Sequence, residues 1–162
     1  MSTTQEANRA REAALATLES IKVMVKRLEH ECTSEDSCDL TDAEIYEGLD
    51  LYHHGHEKAS DEEREQYHNQ DKAREQIDED PLSVEVRSGW ASLSDKLEPG
   101  EYKILLCWGG PAVRIIGDLD NSEPYTARLE YQDWFTPWEE LYLDAEGTEI
   151  LISYARVFPF DL

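Results

Sequence analysis

All six prolines of this 162-residue chain lie at or beyond residue 81. Proline removes a backbone donor and clashes with the preceding helical turn, so only residues 1–80 are open to helix throughout. Asp80-Pro81 closes that stretch, because the residue before proline disfavours the α region. All four tryptophans and most glycines also fall in the second half. The expected fold class is therefore α+β, with two to three N-terminal helices and a small antiparallel sheet. The expected division is an acidic helical region, 1–80, and an α+β module, 81–162. A chain of this length suits one domain, or one with an appendage.

The first helix is predicted over about residues 3–31. Ala14, Leu18, Ile21, Val25 and Leu28 recur at spacings of three and four and form one apolar stripe, widened by Val23 and Met24. A lone amphipathic helix is marginal in water, so the stripe needs a partner, within the chain or in a homodimer built through this helix. Two capping boxes follow, Thr41-Asp42-Ala43-Glu44 and Ser60-Asp61-Glu62-Glu63. The first predicts a helix with Ile45, Leu49 and Tyr52 on one face, weakened by Gly48 and Gly55. The second predicts a helix to about Glu79, nearly all polar, with Tyr67, Ala73 and Ile77 as its anchors.

Beyond Pro81, Leu82, Val84 and Val86 alternate with polar residues, which is the period of a strand. Tyr102–Trp108 is an apolar run, Gly109-Gly110-Pro111 a turn, Ala112–Leu119 a further strand, and Tyr125–Gln132 a third. Runs joined by short turns read as an antiparallel meander. Residues 148–157 can be read as strand or helix; Ile150, Leu151, Tyr154 and Ala155 fit helical spacing, which favours a short C-terminal helix packed on the sheet.

The chain carries 37 Asp and Glu against 15 Lys and Arg, a net charge of −22 at pH 7. A field of that sign repels nucleic acid and anionic membranes and attracts basic surfaces. Direct nucleic-acid binding and membrane binding are thus not expected. No apolar run is long enough for a membrane span, and the first residues lack the pattern of a secretory signal. Cys32, Cys38 and Cys107 are odd in number and not spaced as a disulfide or metal framework, which suits reduced thiols in a cytoplasm.

The charge is densest from Glu29 to Glu63, where 13 acidic residues face Lys58 alone. Solubility of a small domain needs only about 2–8 net charges, so the excess points to a partner. The candidate partner-binding residues are Glu35, Asp36, Asp39, Asp42, Glu44, Glu47, Asp50, Glu57, Asp61, Glu62, Glu63 and Glu65. On helices, residues three to four apart are about 5–6 Å apart, on the scale of the charge per ~3.4 Å of axis along one DNA strand. Such an array can stand in for phosphates in a nucleic-acid-binding groove, with association that is fast and weakened by salt.

Other features carry less. His53, His56 and Glu57 would share a face of a continuous helix, a spacing able to hold zinc, but no HExxH is present and Gly55 interrupts. They read as titrating surface histidines, and no metal or other cofactor is expected. Gly109-Gly110 lacks the pattern of a phosphate-binding loop and reads as a hairpin turn. No nucleophile motif occurs, so no catalytic residues are assigned and the chain is read as a non-enzyme. The aromatic loop Trp134-Phe135-Thr136-Pro137-Trp138 reads first as packing that closes the end of a small sheet. It also offers Trp134 and Trp138 as secondary partner-binding residues, since tryptophan is enriched at interface hot spots.

The segments DPLSVEVRSGW, YKILLCWGGPAVRIIGDLD, ARLEYQDWFTPW and LISYARVFPF, in that order, resemble a family of small uncharacterised proteins of bacterial phages, prophages and plasmids. The resemblance covers about residues 78–160 and implies a mobile-element origin without established catalytic residues. At the level of class, a small acidic protein of that origin is similar to anti-CRISPR and anti-restriction proteins that mimic DNA. The expected function is an anti-CRISPR that blocks the groove of a host defence complex. The alternatives are an inhibitor of a restriction enzyme or other DNA-binding host protein, and a phage or plasmid interaction module that uses the aromatic loop.

Overall fold

The computed structural model describes residues 3–32, 38–55 and 57–161, side chains excepted at residues 3, 4, 6 and 7. Among these are helices α1 (Thr3–Glu29), α2 (Asp42–Gly48), α3 (Asp61–His68), α4 (Gln70–Asp78) and α5 (Ala145–Ala155). The strands are β1 (Ser83–Ser88), β2 (Pro99–Cys107), β3 (Ala112–Asp120), β4 (Glu123–Pro124), β5 (Arg128–Gln132) and β6 (Glu139–Glu140). The fold is α+β, with a wholly antiparallel sheet ordered β1-β2-β3-β5-β6 and β4 paired to β3.

Register decides which side chains are buried. Ile104 stands opposite Ile115, Ile115 opposite Leu129, and Val113 opposite Tyr131. With a period of two, these residues line one face, and α1 and α5 cover it. Ile104, Val113, Ile115 and Leu129 are fully buried there. The helical stripe finds its partner within the chain: Ala14, Ile21 and Val25 are buried in the same cluster as the strand residues. The face proposed for a homodimer is therefore occupied by the chain's own sheet and α5. Ile77 joins this cluster, so residue 80 marks a change of element type within one shared core. The other face of the sheet is polar, with cross-strand ion pairs Lys103–Glu85 at 2.8 Å, Arg114–Glu130 at 2.8 Å and Arg87–Glu101. At the β1 edge, Val84 of that strand and Leu82 just before it are exposed.

Both capping boxes form, but the helices they open are shorter than the periodicity predicts. The helix expected to carry Leu49 and Tyr52 stops at Gly48. There, Leu51 N–H donates to the Tyr46 carbonyl at 2.9 Å and Asp50 N–H to the Glu47 carbonyl at 3.1 Å. That pairing, with Asp50 at φ 56°, is a Schellman stop. Tyr52 consequently points to solvent, 79% exposed. Glycine is required at 48 for a tertiary reason: a Cβ there would lie 2.2 Å from Cε2 of Tyr67.

The helix predicted to Glu79 breaks at Asn69. Arg27 of α1 donates to the carbonyls of Gln66 (2.7 Å) and Tyr67 (3.2 Å), acceptors that a continuous helix would give to residues 70 and 71. Asn69 then caps α4, its side chain accepting from Lys72 N–H at 3.1 Å. Tyr67, Ala73 and Ile77 are buried, as the sequence predicts for the anchors. The predicted C-terminal helix is α5, capped by Asp144.

Candidate functional site

The acidic segment is folded by local capping and by ties to α1. Thr41 Oγ1 accepts from Glu44 N–H, and Glu44 accepts from Thr41 N–H at 2.8 Å. Lys26 of α1 reaches the other Glu44 oxygen at 2.7 Å. The Lys26 ammonium first, and then the Thr41 amide and hydroxyl, hold the Glu44 carboxyl down at about 2. Asp42 accepts from Ala59 N–H at 3.0 Å and from Arg64 at 2.6 Å. The Ala59 amide is the larger cause of the lowered Asp42 pKa, with Arg64 adding to it. Glu63 closes the second box by accepting from Ser60 N–H at 2.8 Å.

The twelve predicted carboxylates thus divide by role. Asp42, Glu44 and Glu63 are half-buried and hold the segment together. Asp39, Glu47, Asp50, Glu57, Asp61, Glu62 and Glu65 are exposed and in no ion pair among the described residues. Glu35 and Asp36 lie outside the described residues. Asp61 and Glu65 stand one turn apart on α3, and Asp61 and Glu62 occupy its first turn, where the helix dipole favours negative charge. Three nearby cations are engaged elsewhere, Lys26 by Glu44, Arg64 by Asp42, and Arg27 within the interior, which leaves Lys58 as the one cation of the segment itself beside the set. Arg27 is only 5% exposed, and burial lowers its pKa. Sequence reading did not single it out, because its partners lie about forty residues away.

The histidine cluster does not assemble on a helix. His53 follows the end of α2, and its Nε2 lies 2.9 Å from the Glu57 carbonyl oxygen, while His56 lies outside the described residues. A different group converges. His30 and Cys32 follow α1, Cys38 precedes α2, His68 ends α3, and one ligand atom from each lies within 4.8 Å of all the others. Cysteine and histidine spacing gave no signal for it, since His68 is thirty residues from Cys38. Gly109-Gly110-Pro111 is a turn between β2 and β3, as predicted.

The aromatic loop separates its two tryptophans. Trp134 is 61% exposed and Phe135 fully so. Trp138 is half-buried beneath Arg114, whose guanidinium carbon stands 3.9 Å from the ring centre. That contact anchors the loop to the sheet. Phe135 sits at φ 62°, a rare conformation for a bulky residue. Thr136 holds the turn by accepting from Asp133 N–H at 3.2 Å and donating to the Asp133 carbonyl at 3.0 Å. Sequence reading also passed over the β1–β2 loop, where Trp90, Leu93 and Leu97 are exposed.

No known protein family, curated protein or solved structure matches the chain. The resemblance of residues 78–160 to mobile-element proteins thus stands as an expectation from the residues alone. No helix among the described residues is long and apolar enough to cross a membrane.

Proposed function

We propose that this protein is a non-enzymatic inhibitor that presents folded carboxylates to the basic groove of a nucleic-acid-binding protein. The observation carrying this reading is the exposed set Asp39, Glu47, Asp50, Glu57, Asp61, Glu62 and Glu65, in no ion pair among the described residues. Glu47 stands on α2, Asp61, Glu62 and Glu65 on α3, and the other three in the segments that flank these capped helices. A disordered acidic tail would lose conformational freedom on binding; carboxylates on formed helices lose less, and their spacing suits a phosphate-binding surface. The partner class is a host defence complex with a positively charged channel, a CRISPR effector first and a restriction enzyme second. The inhibitor acts by occupying the channel, without chemistry of its own.

The test is capture of partners from a bacterial lysate on the immobilised full chain, at about 50 mM and about 200 mM salt. The expected partner is a nucleic-acid-binding complex that is held more tightly at low salt and displaced by added DNA or RNA. A specifically retained partner that nucleic acid does not displace contradicts the reading.

A second reading rests on Trp134 and Phe135, whose exposed rings stand on a conformation costing about 1–3 kcal/mol for a residue of this kind. In that reading the loop is the docking element of an interaction module, and Trp134→Ala abolishes partner capture while charge changes in α3 do not.

A further inference from the structure

We infer that His30, Cys32, Cys38 and His68 form a structural zinc site that fastens the acidic helices to α1. Their ligand atoms lie within 4.8 Å of one another. Nε2 of His30 and of His68 stand 3.4 Å and 3.3 Å from Cys38 Sγ. Around a tetrahedral ion with bonds of about 2.0–2.3 Å, neighbouring ligand atoms are about 3.3–3.8 Å apart. The two sulfur–nitrogen separations already have that length, and the remaining pairs, all within 4.8 Å, need to close by no more than about 1–1.5 Å to reach it.

The orientation of His68 supports the assignment. Its Nδ1 lies 2.6 Å from the carbonyl oxygen of Arg64. A carbonyl oxygen only accepts, so Nδ1 carries the proton and Nε2 turns its lone pair toward Cys38. An imidazole held by its other ring nitrogen is the usual arrangement of a zinc-binding histidine. The ring of Tyr67 packs edge-on against both histidines, at 6.0 Å and 5.4 Å between centres, giving the group an apolar wall. Two thiolates and two imidazoles in tetrahedral array select zinc, and four protein ligands leave no open position for catalysis.

Binding is a ligand exchange without electron transfer. Each thiol releases its proton to solvent as sulfur bonds the ion, so one Zn²⁺ replaces two protons and the net charge is unchanged. The acidic field therefore survives metal loading. The site joins the end of α1, the approach to α2 and the end of α3, next to the Arg27 ties. Because these ligands are brought together only by folding, metal binding stabilises the folded state. The inference is independent of the proposed partner, since it concerns how the acidic segment is held and not what it meets.

The test uses the reduced full-length protein with Co²⁺ and Zn²⁺ as probes. The expected result is uptake of about one Co²⁺ per chain, with tetrahedral d–d absorption and a thiolate-to-metal charge-transfer band, both erased by Zn²⁺. Cys38→Ser and His68→Ala should each weaken binding more than the roughly 10–100-fold that loss of a supporting hydrogen-bond partner costs. Cys107→Ser and His53→Ala should leave it unchanged. No uptake by the wild-type chain, a cobalt spectrum without a thiolate band, or full-strength binding by folded Cys38→Ser each overturns the site. The wild-type spectrum decides even where a variant fails to fold.

Discussion

The sheet and the acidic helices are held by different physics. On the covered face of the sheet, Ile104, Val113, Ile115 and Leu129 are fully buried beneath α1 and α5, and apolar burial does most of the work. The layer formed by α2, α3 and α4 buries little beyond Ile45, Tyr67, Ala73 and Ile77. Its position depends on the Arg27 hydrogen bonds, the Asp42–Arg64 pair, two capping boxes and the bond from Tyr154 to Asp80 at 2.6 Å. A segment this acidic cannot sink deeply without neutralising its carboxylates. It keeps them in water and is fastened by a few cations and backbone groups. The contrast predicts a robust scaffold and a layer sensitive to single polar changes, pH and salt.

The largest expected effect is in the scaffold. Leu129→Ala removes a fully buried side chain of β5, opposite Ile115 of β3, from beneath the helices and should cost about 2–5 kcal/mol. Denaturant unfolding should show α1 and the sheet lost together; loss of the sheet with α1 retained would break the picture of a shared core. Gly48→Ala comes next, forcing a methyl against the Tyr67 ring at a cost of about 1–3 kcal/mol. Hydrogen exchange should rise in α2 and α3 while β2 and β3 keep their protection.

Arg27→Ala leaves the Gln66 and Tyr67 carbonyls without their side-chain donor and should cost about 1–3 kcal/mol. Amides of α3 and α4 should exchange faster in this variant; equal loosening of β2 and β3 would contradict the division. The smallest effect is at Glu44. Its pKa is depressed from 4.5 to about 2, so its contribution is present above pH ~4.5 and fades as pH falls toward ~2. Its partner Lys26 is half exposed, so Glu44→Gln should cost only about 0.2–1 kcal/mol and flatten this part of the acid-unfolding curve. An acid profile identical to that of the wild-type chain would deny Glu44 the role.

Local signals carried much of the fold. Thr41 with Glu44, and Ser60 with Glu63, act within four residues, so their capping boxes are readable from sequence and present in the structure. The β2–β3–β5 meander was likewise visible in alternation and turn residues. Helix ends were harder, because distant residues set them. Gly48 is fixed by Tyr67, and the break at Asn69 by Arg27. The acidic site was legible as composition, but its division into exposed and structural carboxylates required the partners of Asp42, Glu44 and Glu63. The His30, Cys32, Cys38 and His68 group was not legible, because its spacing follows no short motif and only the return of α3 to the end of α1 assembles it.

The central claim is that exposed carboxylates of the helical layer, and not the aromatic loop, make the contact with a basic groove. It is tested most directly by measuring affinity for the captured partner with two variants side by side. One reverses Glu47, Asp61, Glu62 and Glu65 to Lys, sparing Asp42, Glu44 and Glu63; the other is Trp134→Ala. Both must first match the wild-type chain in circular dichroism. The account predicts that charge reversal abolishes binding at about 50 mM salt, while Trp134→Ala changes affinity less than about tenfold. Binding that survives charge reversal and is lost with Trp134 would contradict it.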